Sequence, residues 1–276
     1  MLTVTTPDGV AVAVHDLGGD GPDLVMLHAT GFHGRTWLPV AETLRSRFHC
    51  LAIDERGHGD SGVSPALDFD WQTMAGDVLG VAGELGLHRP FGMGHSCGAA
   101  LLLLAEQARP GTFEALYCYE PIMSAVEDPP RPGANPMAAG ARRRRDVFAS
   151  RDAAYAAFAG KPPLSVLAPD ALEAYVDFGF DDLEDGTVRL KCQPEHEALV
   201  YENGLSHPAY RRLPDVRCPV IVACGELTDA VGPAAADRIS ERLPQGRTEV
   251  FPGLGHFGPL ENPSAVAEAV VRAFTH

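Results

Sequence analysis

Short apolar runs alternate with helix-like segments along most of this 276-residue chain. Alternation of this kind is typical of a mostly parallel β-sheet with helices packed on its faces. A chain of this length can bury a substantial hydrophobic core around such a sheet. The runs predict eight strands. The first two form a hairpin, with its turn at Pro7-Asp8-Gly9 and its second strand at 10–15. The other six lie at 23–28, 48–54, 91–93, 113–119, 219–224 and 248–251.

The alternation stops after the sixth strand. A proline-rich run at 128–136 cannot continue a helix or a central strand, and the residues from there to about 213 have a helical pattern. Strand and helix alternate again only from residue 219. Because this insertion is too long for a plain connection, we expect a helical cap at 125–213. Residues 1–124 and 214–276 would then form the α/β core.

The run Gly94-His95-Ser96-Cys97-Gly98 stands between a predicted strand and a Leu-rich helix. A Gly-x-Ser-x-Gly pattern is informative in that setting, where a sharp strand-to-helix turn exposes the serine at the edge of the sheet. The two glycines remove side chains where backbones approach closely, and the helix N-terminus favours developing negative charge. The pattern predicts that Ser96 is a catalytic nucleophile.

A serine hydroxyl needs a base to take its proton, and His256 is the best placed of the eleven histidines. It lies in a Gly-rich loop between the last strand and the last helix, and such a loop can carry an imidazole over the sheet edge. His95 directly precedes the serine and is expected to pack and to form hydrogen bonds. His28 and His58 are expected to pin loops.

Three further segments carry a family resemblance. Residues 27–32 (LHATGF) are similar to a His-Gly oxyanion loop, and residues 54–61 (DERGHGDS) to a D-x-R-G-x-G-x-S loop that its arginine and aspartate pin. Residues 255–263 are similar to a catalytic histidine loop followed by the last helix. The chain therefore resembles the α/β-hydrolase superfamily, in particular its capped, esterase-like serine hydrolases. The resemblance implies an eight-stranded α/β-hydrolase sheet, a catalytic triad and an oxyanion hole.

The resemblance leaves two candidates for the acid of the triad. Asp229 follows the seventh strand, where the family usually places its aspartate, and the order Ser96, Asp229, His256 is the family's order. The loop is one residue longer than the usual G-x-x-D spacing. Glu120 ends the sixth strand, where haloalkane dehalogenases of the same fold can carry their acid. We favour Asp229 and keep Glu120 as the alternative.

Two backbone N–H groups are expected to form the oxyanion hole. One belongs to Cys97, the residue after the nucleophile. The other belongs to the 27–32 loop, where alignment to the family motif favours Thr30 over its neighbour Ala29. Such donors stabilise the negative oxygen of a tetrahedral intermediate.

The predicted cap carries four consecutive arginines at 142–145 and several aromatic residues between 148 and 180. Four successive positions cover all faces of a helix, so at most one or two arginines can point into a pocket. The others are expected to pair with acidic surface residues. The aromatic residues are expected to form the cap core and in part to roof the pocket, which favours a small apolar or aromatic acyl substrate.

The leading hypothesis is a serine hydrolase that cleaves a small carboxylic ester, thioester or lactone through an acyl-serine. Carbon–carbon bond hydrolysis of a diketone, acyl transfer and perhydrolysis would use the same residues. A serine nucleophile argues against haloalkane dehalogenase or epoxide hydrolase chemistry, because those enzymes form their intermediate on an aspartate. A non-catalytic binding module is the least favoured hypothesis, because both Ser96 and His256 are present.

The composition limits the binding partners and the cellular compartment that we expect for this chain. The net charge of −15 argues against nucleic acid and anionic membranes as partners. The sequence has no metal-ligand or nucleotide-binding spacing, so no cofactor or metal is expected. It has no signal-peptide pattern, no apolar run long enough to span a membrane, and no CxxC among its six cysteines. We expect a cytoplasmic protein with reduced thiols; the sequence does not indicate an oligomeric state.

Overall fold

An eight-stranded sheet forms the centre of the computed structural model, which describes residues 1–124 and 135–275. The strands of the described residues, in chain order, are β1 (Leu2–Thr5), β2 (Ala11–Asp16), β3 (Asp23–Leu27), β4 (His49–Ile53), β5 (Phe91–His95), β6 (Leu116–Tyr119), β7 (Val147–Phe148), β8 (Phe180–Asp182), β9 (Val188–Leu190), β10 (Val220–Gly225) and β11 (Gly246–Phe251). The main sheet has the order β1-β2-β4-β3-β5-β6-β10-β11. Its β1–β2 and β2–β4 pairs are antiparallel and its other pairs are parallel. The predicted eight-stranded, mostly parallel α/β sheet is confirmed.

Helices cover both faces of this sheet. Those of the described residues are α1 (Leu38–Leu44), α2 (Trp71–Glu84), α3 (Cys97–Ala108), α4 (Met137–Arg142), α5 (Arg151–Ala159), α6 (Pro169–Phe178), α7 (Pro194–Asn203), α8 (Pro233–Arg242), α9 (Gly258–Glu261) and α10 (Pro263–Thr275). One hydrophobic cluster packs α2, α3 and α8 against one face, and a second packs α1 and α10 against the other. None of the described helices is both long and apolar enough to cross a bilayer.

The central strands are buried on both sides. Strands β3 to β6 are buried along nearly their whole lengths, and this explains their continuous apolar sequence, because helices cover both faces of the sheet. Helix α3 is likewise buried almost throughout, since its residues are apolar on every side. This packing fixes the carboxyl end of β5, where the predicted nucleophile stands.

Residues 135–213 fold outside the main sheet. Helices α4 to α7 are accompanied there by a three-stranded antiparallel sheet in the order β7-β9-β8, whereas the sequence predicted a wholly helical cap. The difference arises at a tight turn, where the N–H of Leu183 donates to the carbonyl of Thr187 (2.9 Å) and Gly186 adopts a φ of +81°. Strands of two or three residues are too short to give an alternating sequence pattern. The start of the cap and most of the proline-rich run, at 125–134, lie outside the described residues, and the boundaries 125–213 stay a prediction.

The cap packs on the loops that follow β3 and β11. Its aromatic core forms one hydrophobic cluster with Phe32 and Leu260 of the α/β core. The ring centroids of Phe32 and Tyr175 are 5.2 Å apart, and the N–H of Ala168 donates to the carbonyl of Leu260 (2.8 Å). The cap therefore covers the carboxyl ends of the parallel strands, which is where ligands bind in sheets of this type.

Candidate active site

Four loops bring the predicted site residues to the carboxyl edge of the main sheet. Thr30 follows β3, Ser96 follows β5, Glu120 follows β6 and His256 follows β11. Strands β5 and β6 are direct neighbours in the sheet. Ser96 and Glu120 therefore leave the sheet side by side.

Ser96 stands on a strained turn between β5 and α3. Its backbone has a φ of +55° and a ψ of −113°, a region that residues with a side chain rarely adopt. A Cβ at Gly94 would lie 2.6 Å from the backbone of α3, and a Cβ at Gly98 would lie 2.5 Å from the carbonyl oxygen of Leu27. Glycine is required at both positions for the turn to close. The Gly-x-Ser-x-Gly run thus has the strand–turn–helix setting that its pattern predicts.

Glu120 is fully buried and directs its carboxylate at His256. Its Oε2 lies 2.7 Å from His256 Nδ1. Its Oε1 accepts a hydrogen bond from the N–H of Gly225 (3.0 Å), and Oε2 accepts from the hydroxyl of Thr228 (2.7 Å) and the N–H of Val231 (3.3 Å). These partners hold the carboxylate in one orientation beside the imidazole.

Asp229, the acid favoured from the sequence, forms no hydrogen bond or ion pair with His256 among the described residues, and its side chain is exposed on the loop after β10. The position that fits the G-x-x-D spacing, counted from Gly225, is occupied by Thr228. The extra residue places Asp229 one step further on, at the surface, while Thr228 donates its hydroxyl to Glu120. The geometry therefore reverses the order of the two candidates and favours Glu120.

The imidazole of His256 is oriented by the contact with Glu120. Because Nδ1 lies against the carboxylate, Nε2 is the nitrogen left for the nucleophile. The main-chain oxygen of His256 lies 2.8 Å from Nε2 of His95. Burial and the charge of His256 lower the pKa of His95 well below its usual range, so His95 is neutral and donates this hydrogen bond. The described residues contain no hydrogen bond between His256 and Ser96, a contact that in many enzymes tightens only when substrate binds.

His28 and His58 hold the two loops beside the site. Burial lowers the pKa of His28 to about 3, and its Nε2 accepts from the N–H of Glu55 (3.0 Å). The Nε2 of His58 accepts from the N–H of Gly31 (3.0 Å), and its Nδ1 lies 3.0 Å from the carbonyl of Arg56. Both histidines thus have the loop-pinning contacts that were expected of them.

The N–H groups of Cys97 and Thr30 donate to no other described residue. The next amide of α3, that of Gly98, donates to the carbonyl of His28 (3.1 Å) and ties the first turn of the helix to the oxyanion loop. Both predicted donors are therefore unpaired among the described residues. The N–H of Ala29 is equally unpaired, so the choice of Thr30 over Ala29 stays a prediction.

Arg56 ties the 54–61 loop to the rest of the core, as the resemblance implied. Its guanidinium forms two parallel hydrogen bonds to Asp77 of α2 (2.7 Å each) and two to Asp8 (2.9 and 3.4 Å). Two parallel hydrogen bonds of this kind fix the orientation of the guanidinium as well as its distance from the carboxylate. The arginine is thus a structural anchor of the loop.

His15, Asp54 and Asp60 form the one group within 1–124 and 135–275 whose donor atoms could hold a metal ion, since these atoms lie within 4.8 Å of one another. The Asp54 carboxylate accepts from the N–H groups of Gly34 (2.6 Å) and Asp60 (2.7 Å) and lies 2.8 Å from His15 Nε2. Burial would raise the pKa of Asp54, but the hydrogen bond and charge of His15 hold it below its usual range. Because protein groups already use the Asp54 oxygens, the group acts as a loop anchor.

Glu55 is a buried carboxyl group that the sequence analysis did not single out. Neither of its oxygens has a hydrogen-bond partner among the described residues. Burial raises its pKa to about 8, so it is mostly protonated at pH 7. The thiol of Cys97 lies beside it, which places Glu55 next to the nucleophile turn. The signal available in the sequence was a second acidic residue, next to Asp54, just after the buried strand β4.

Comparison with known proteins agrees with this architecture. Residues 24–269 match the model of the alpha/beta hydrolase family. The chain is similar to a 2-(acetamidomethylene)succinate hydrolase from Mesorhizobium japonicum, with 25% identity over 91% of this chain and 87% of the relative. A shorter match, 34% identical over 43% of this chain and 44% of the relative, is to a pimeloyl-[acyl-carrier protein] methyl ester esterase from Methylococcus capsulatus. The crystal structure of E-2-(acetamidomethylene)succinate hydrolase shares the fold, with a TM-score of 0.83 and 23% identity over 100% of this chain and 99% of that one.

Proposed function

The chain belongs to the α/β-hydrolase family and is a hydrolase, and from this premise we propose that it is a serine hydrolase working through an acyl-serine. The observation that carries the proposal is the contact of Glu120 with His256 at the sheet edge where Ser96 stands on its strained turn. We assign Ser96 as the nucleophile, His256 as the base and Glu120 as the acid of the triad.

The reaction follows from these roles. His256 Nε2 takes the hydroxyl proton as Ser96 Oγ attacks the carbonyl carbon of the substrate. The N–H groups of Cys97 and Thr30 stabilise the oxyanion of the tetrahedral intermediate. The imidazolium returns its proton to the leaving group, which gives the acyl-serine. Water, deprotonated by the same imidazole, then attacks the acyl carbon. The imidazolium returns its proton to Ser96 Oγ as the acyl C–O bond breaks, which releases the carboxylic acid and restores the serine. Glu120 holds the tautomer and stabilises the imidazolium.

Small carboxylic esters, thioesters and lactones are the first candidate substrates, because an alcohol or thiol leaves more readily than an amine. Amides are the second candidate. The names of the two curated relatives describe an acetamido compound for one and a methyl ester for the other. The rings of Phe32, Tyr175 and Phe257 lie together beside the oxyanion loop and would favour an acyl group with some apolar surface.

A fluorophosphonate probe tests the proposal, because it phosphonylates activated serines. The purified chain should be labelled, and Ser96→Ala should abolish the labelling. Ser165→Ala, which changes an exposed serine of the cap, is the matched control and should be labelled like the parent. Labelling that persists in Ser96→Ala, or no labelling of protein whose folding is verified by circular dichroism, would contradict the proposal.

The proposed compartment is the cytoplasm. All six cysteines are free and buried, which is the usual state of thiols in proteins kept under reducing conditions.

A further inference from the structure

One of the four consecutive cap arginines turns inward. Arg142 forms surface ion pairs with glutamates of the cap, whereas Arg144 Nη1 donates to Glu197 Oε2 at 2.7 Å and Arg144 Nη2 donates to the hydroxyl of Tyr175. Helix α4 ends at Arg142, so the four arginines do not lie on one helix as the sequence suggested. Arg144 is therefore the arginine whose surroundings bear on the site.

Arg144 lies against the oxyanion loop. A Cβ added at Gly31 would be 3.3 Å from Arg144 Nη1 and 2.9 Å from Glu197 Oε1. Gly31 has a φ of +82° and directly follows Thr30, the proposed oxyanion donor. The cap thus places a guanidinium one residue away from the group that would hold the substrate carbonyl oxygen.

Much of the hydrogen-bonding capacity of Arg144 is unused. A guanidinium has five N–H donors; the described residues take two, one each for Glu197 and Tyr175, which leaves three. The side chain of Arg144 is 19% exposed, so it is not sealed inside the packed core of the cap. Its planar fork matches the two oxygens of a carboxylate.

The groups around Arg144 are compatible with an anion at this place. Glu197 holds the guanidinium in position and commits its Oε2 to that contact. Burial raises the pKa of Tyr175, so its hydroxyl stays neutral. An incoming carboxylate would find unused N–H donors of Arg144 beside this neutral hydroxyl, while the Glu197 carboxylate is already engaged by the guanidinium.

We propose that Arg144 binds a carboxylate carried on the acyl part of the substrate, which makes the substrate an ester or amide of a small dicarboxylic acid. This specificity rests on the serine hydrolase function proposed above. The reacting carbonyl would lie at Ser96 and Thr30, and the second carboxyl group at Arg144. The rings of Phe32 and Tyr175, close to the same loop, would contact the hydrocarbon between them.

Half-esters compared with neutral isosteres test this proposal. Monoethyl malonate, succinate and glutarate are each paired with the compound in which a carboxamide replaces the free carboxylate, and hydrolysis is followed by proton release. The full chain should prefer at least one half-ester to its carboxamide by about tenfold or more in kcat/KM. Arg144→Gln should remove that preference, because its kcat/KM should fall about tenfold further on the half-ester than on the carboxamide, and Arg144→Lys should keep part of it. Arg143→Gln makes the same charge change at the exposed neighbour and should keep all of it.

Equal kcat/KM for half-ester and carboxamide at all three chain lengths would overturn the proposal. An equal loss of kcat/KM on both substrates in Arg144→Gln and Arg144→Lys would also overturn it, because such a loss is expected if Arg144 only stabilises the cap. Calorimetry provides a second measurement that does not depend on turnover. Ser96→Ala should bind a half-ester about tenfold more tightly than Ser96→Ala/Arg144→Gln does, and no binding to Ser96→Ala would also overturn it.

The same variants separate this proposal from the one on which it rests. Hydrolysis that survives in Ser96→Ala would refute the acyl-serine function, whatever the charge preference. An inactive Ser96→Ala, combined with a parent enzyme that ignores the substrate carboxylate, would refute the role of Arg144 alone.

Discussion

Glu120 and His256 are 136 positions apart in the sequence, yet Glu120 Oε2 lies 2.7 Å from His256 Nδ1. Glu120 directly follows β6, the direct neighbour of the strand that leads to Ser96. The proposed acid and the proposed nucleophile therefore leave the sheet from adjacent strands, and the histidine arrives from the far end of the chain.

Replacing Glu120 should damage catalysis far more than replacing Asp229. Glu120→Gln keeps the shape of the side chain but removes the charge that holds the imidazole in its productive tautomer, so we expect kcat to fall by about 10³- to 10⁴-fold. Asp229→Asn removes an exposed charge and should change kcat by less than about twofold. Steady-state kinetics of both variants on one ester decides whether Glu120 or Asp229 is the acid. A large loss in Asp229→Asn with an active Glu120→Gln would restore Asp229 as the acid.

A carboxylate at position 228 should partly replace Glu120. The hydroxyl of Thr228 lies 2.7 Å from Glu120 Oε2, so an aspartate there would reach the same side of His256. We expect Glu120→Ala/Thr228→Asp to recover about tenfold in kcat relative to Glu120→Ala, since part of the electrostatic support returns. Glu120→Ala/Thr228→Asn, which has the same shape without the charge, is the control. Equal activity of the two double variants would show that position 228 cannot support the imidazole.

The nucleophile turn should not tolerate a methyl group at Gly98. A Cβ there would lie 2.5 Å from the carbonyl oxygen of Leu27, so the backbone must move. We expect Gly98→Ala to lower the free energy of unfolding by about 1–3 kcal/mol and to abolish activity. Gly76→Ala, in α2 with open space around it, should stabilise the protein by about 0.5–1 kcal/mol. Urea unfolding measures both, and an undisturbed Gly98→Ala would mean that the turn relaxes easily.

Glu55 should make the folded protein less stable as the pH rises. Its pKa is about 8 in the folded chain against an ordinary value of 4.5. Between these values the folded state binds more protons than the unfolded state, so the free energy of unfolding falls with rising pH, by at most about 1.4 kcal/mol per pH unit. Below 4.5 both states are protonated, and above about 8 both are ionised, so the effect is confined to this window.

The variant Glu55→Gln removes the titrating group and tests this window. The stability difference between Glu55→Gln and the parent, measured by urea unfolding from pH 5 to pH 8, should shift steadily in favour of the variant. A difference that stays constant over this range would show that Glu55 is ionised in the folded protein.

The sheet was predictable because it depends on local pattern, and the residues proposed as nucleophile and base were chosen from the same kind of signal. Continuous apolar strands, two glycines around Ser96 and a Gly-rich loop at His256 are all visible in the sequence. The acid proposed from the geometry was not the one favoured from the sequence, because its position depends on how the loop after β10 turns. The G-x-x-D spacing, counted from Gly225, leads to Thr228. Nothing in the sequence indicates that the hydroxyl of this threonine donates a hydrogen bond to a carboxylate that follows another strand.

The inward arginine was equally hidden. Four identical residues in a row have the same local pattern, and the contacts with Glu197 and Tyr175, 53 and 31 positions away, select Arg144 among them. The small sheet of the cap was missed for a different reason, since strands of two or three residues leave too few positions for an alternation to be recognised.

The strand–helix–strand unit β5-α3-β6 carries the proposed nucleophile, one oxyanion donor and the proposed acid. The loop after β10 would then support the proposed acid through the hydroxyl of Thr228 and the amide of Val231. An insertion or deletion near position 229 would therefore act on the imidazole indirectly: it would release the carboxylate of Glu120 without changing any of the three proposed triad residues.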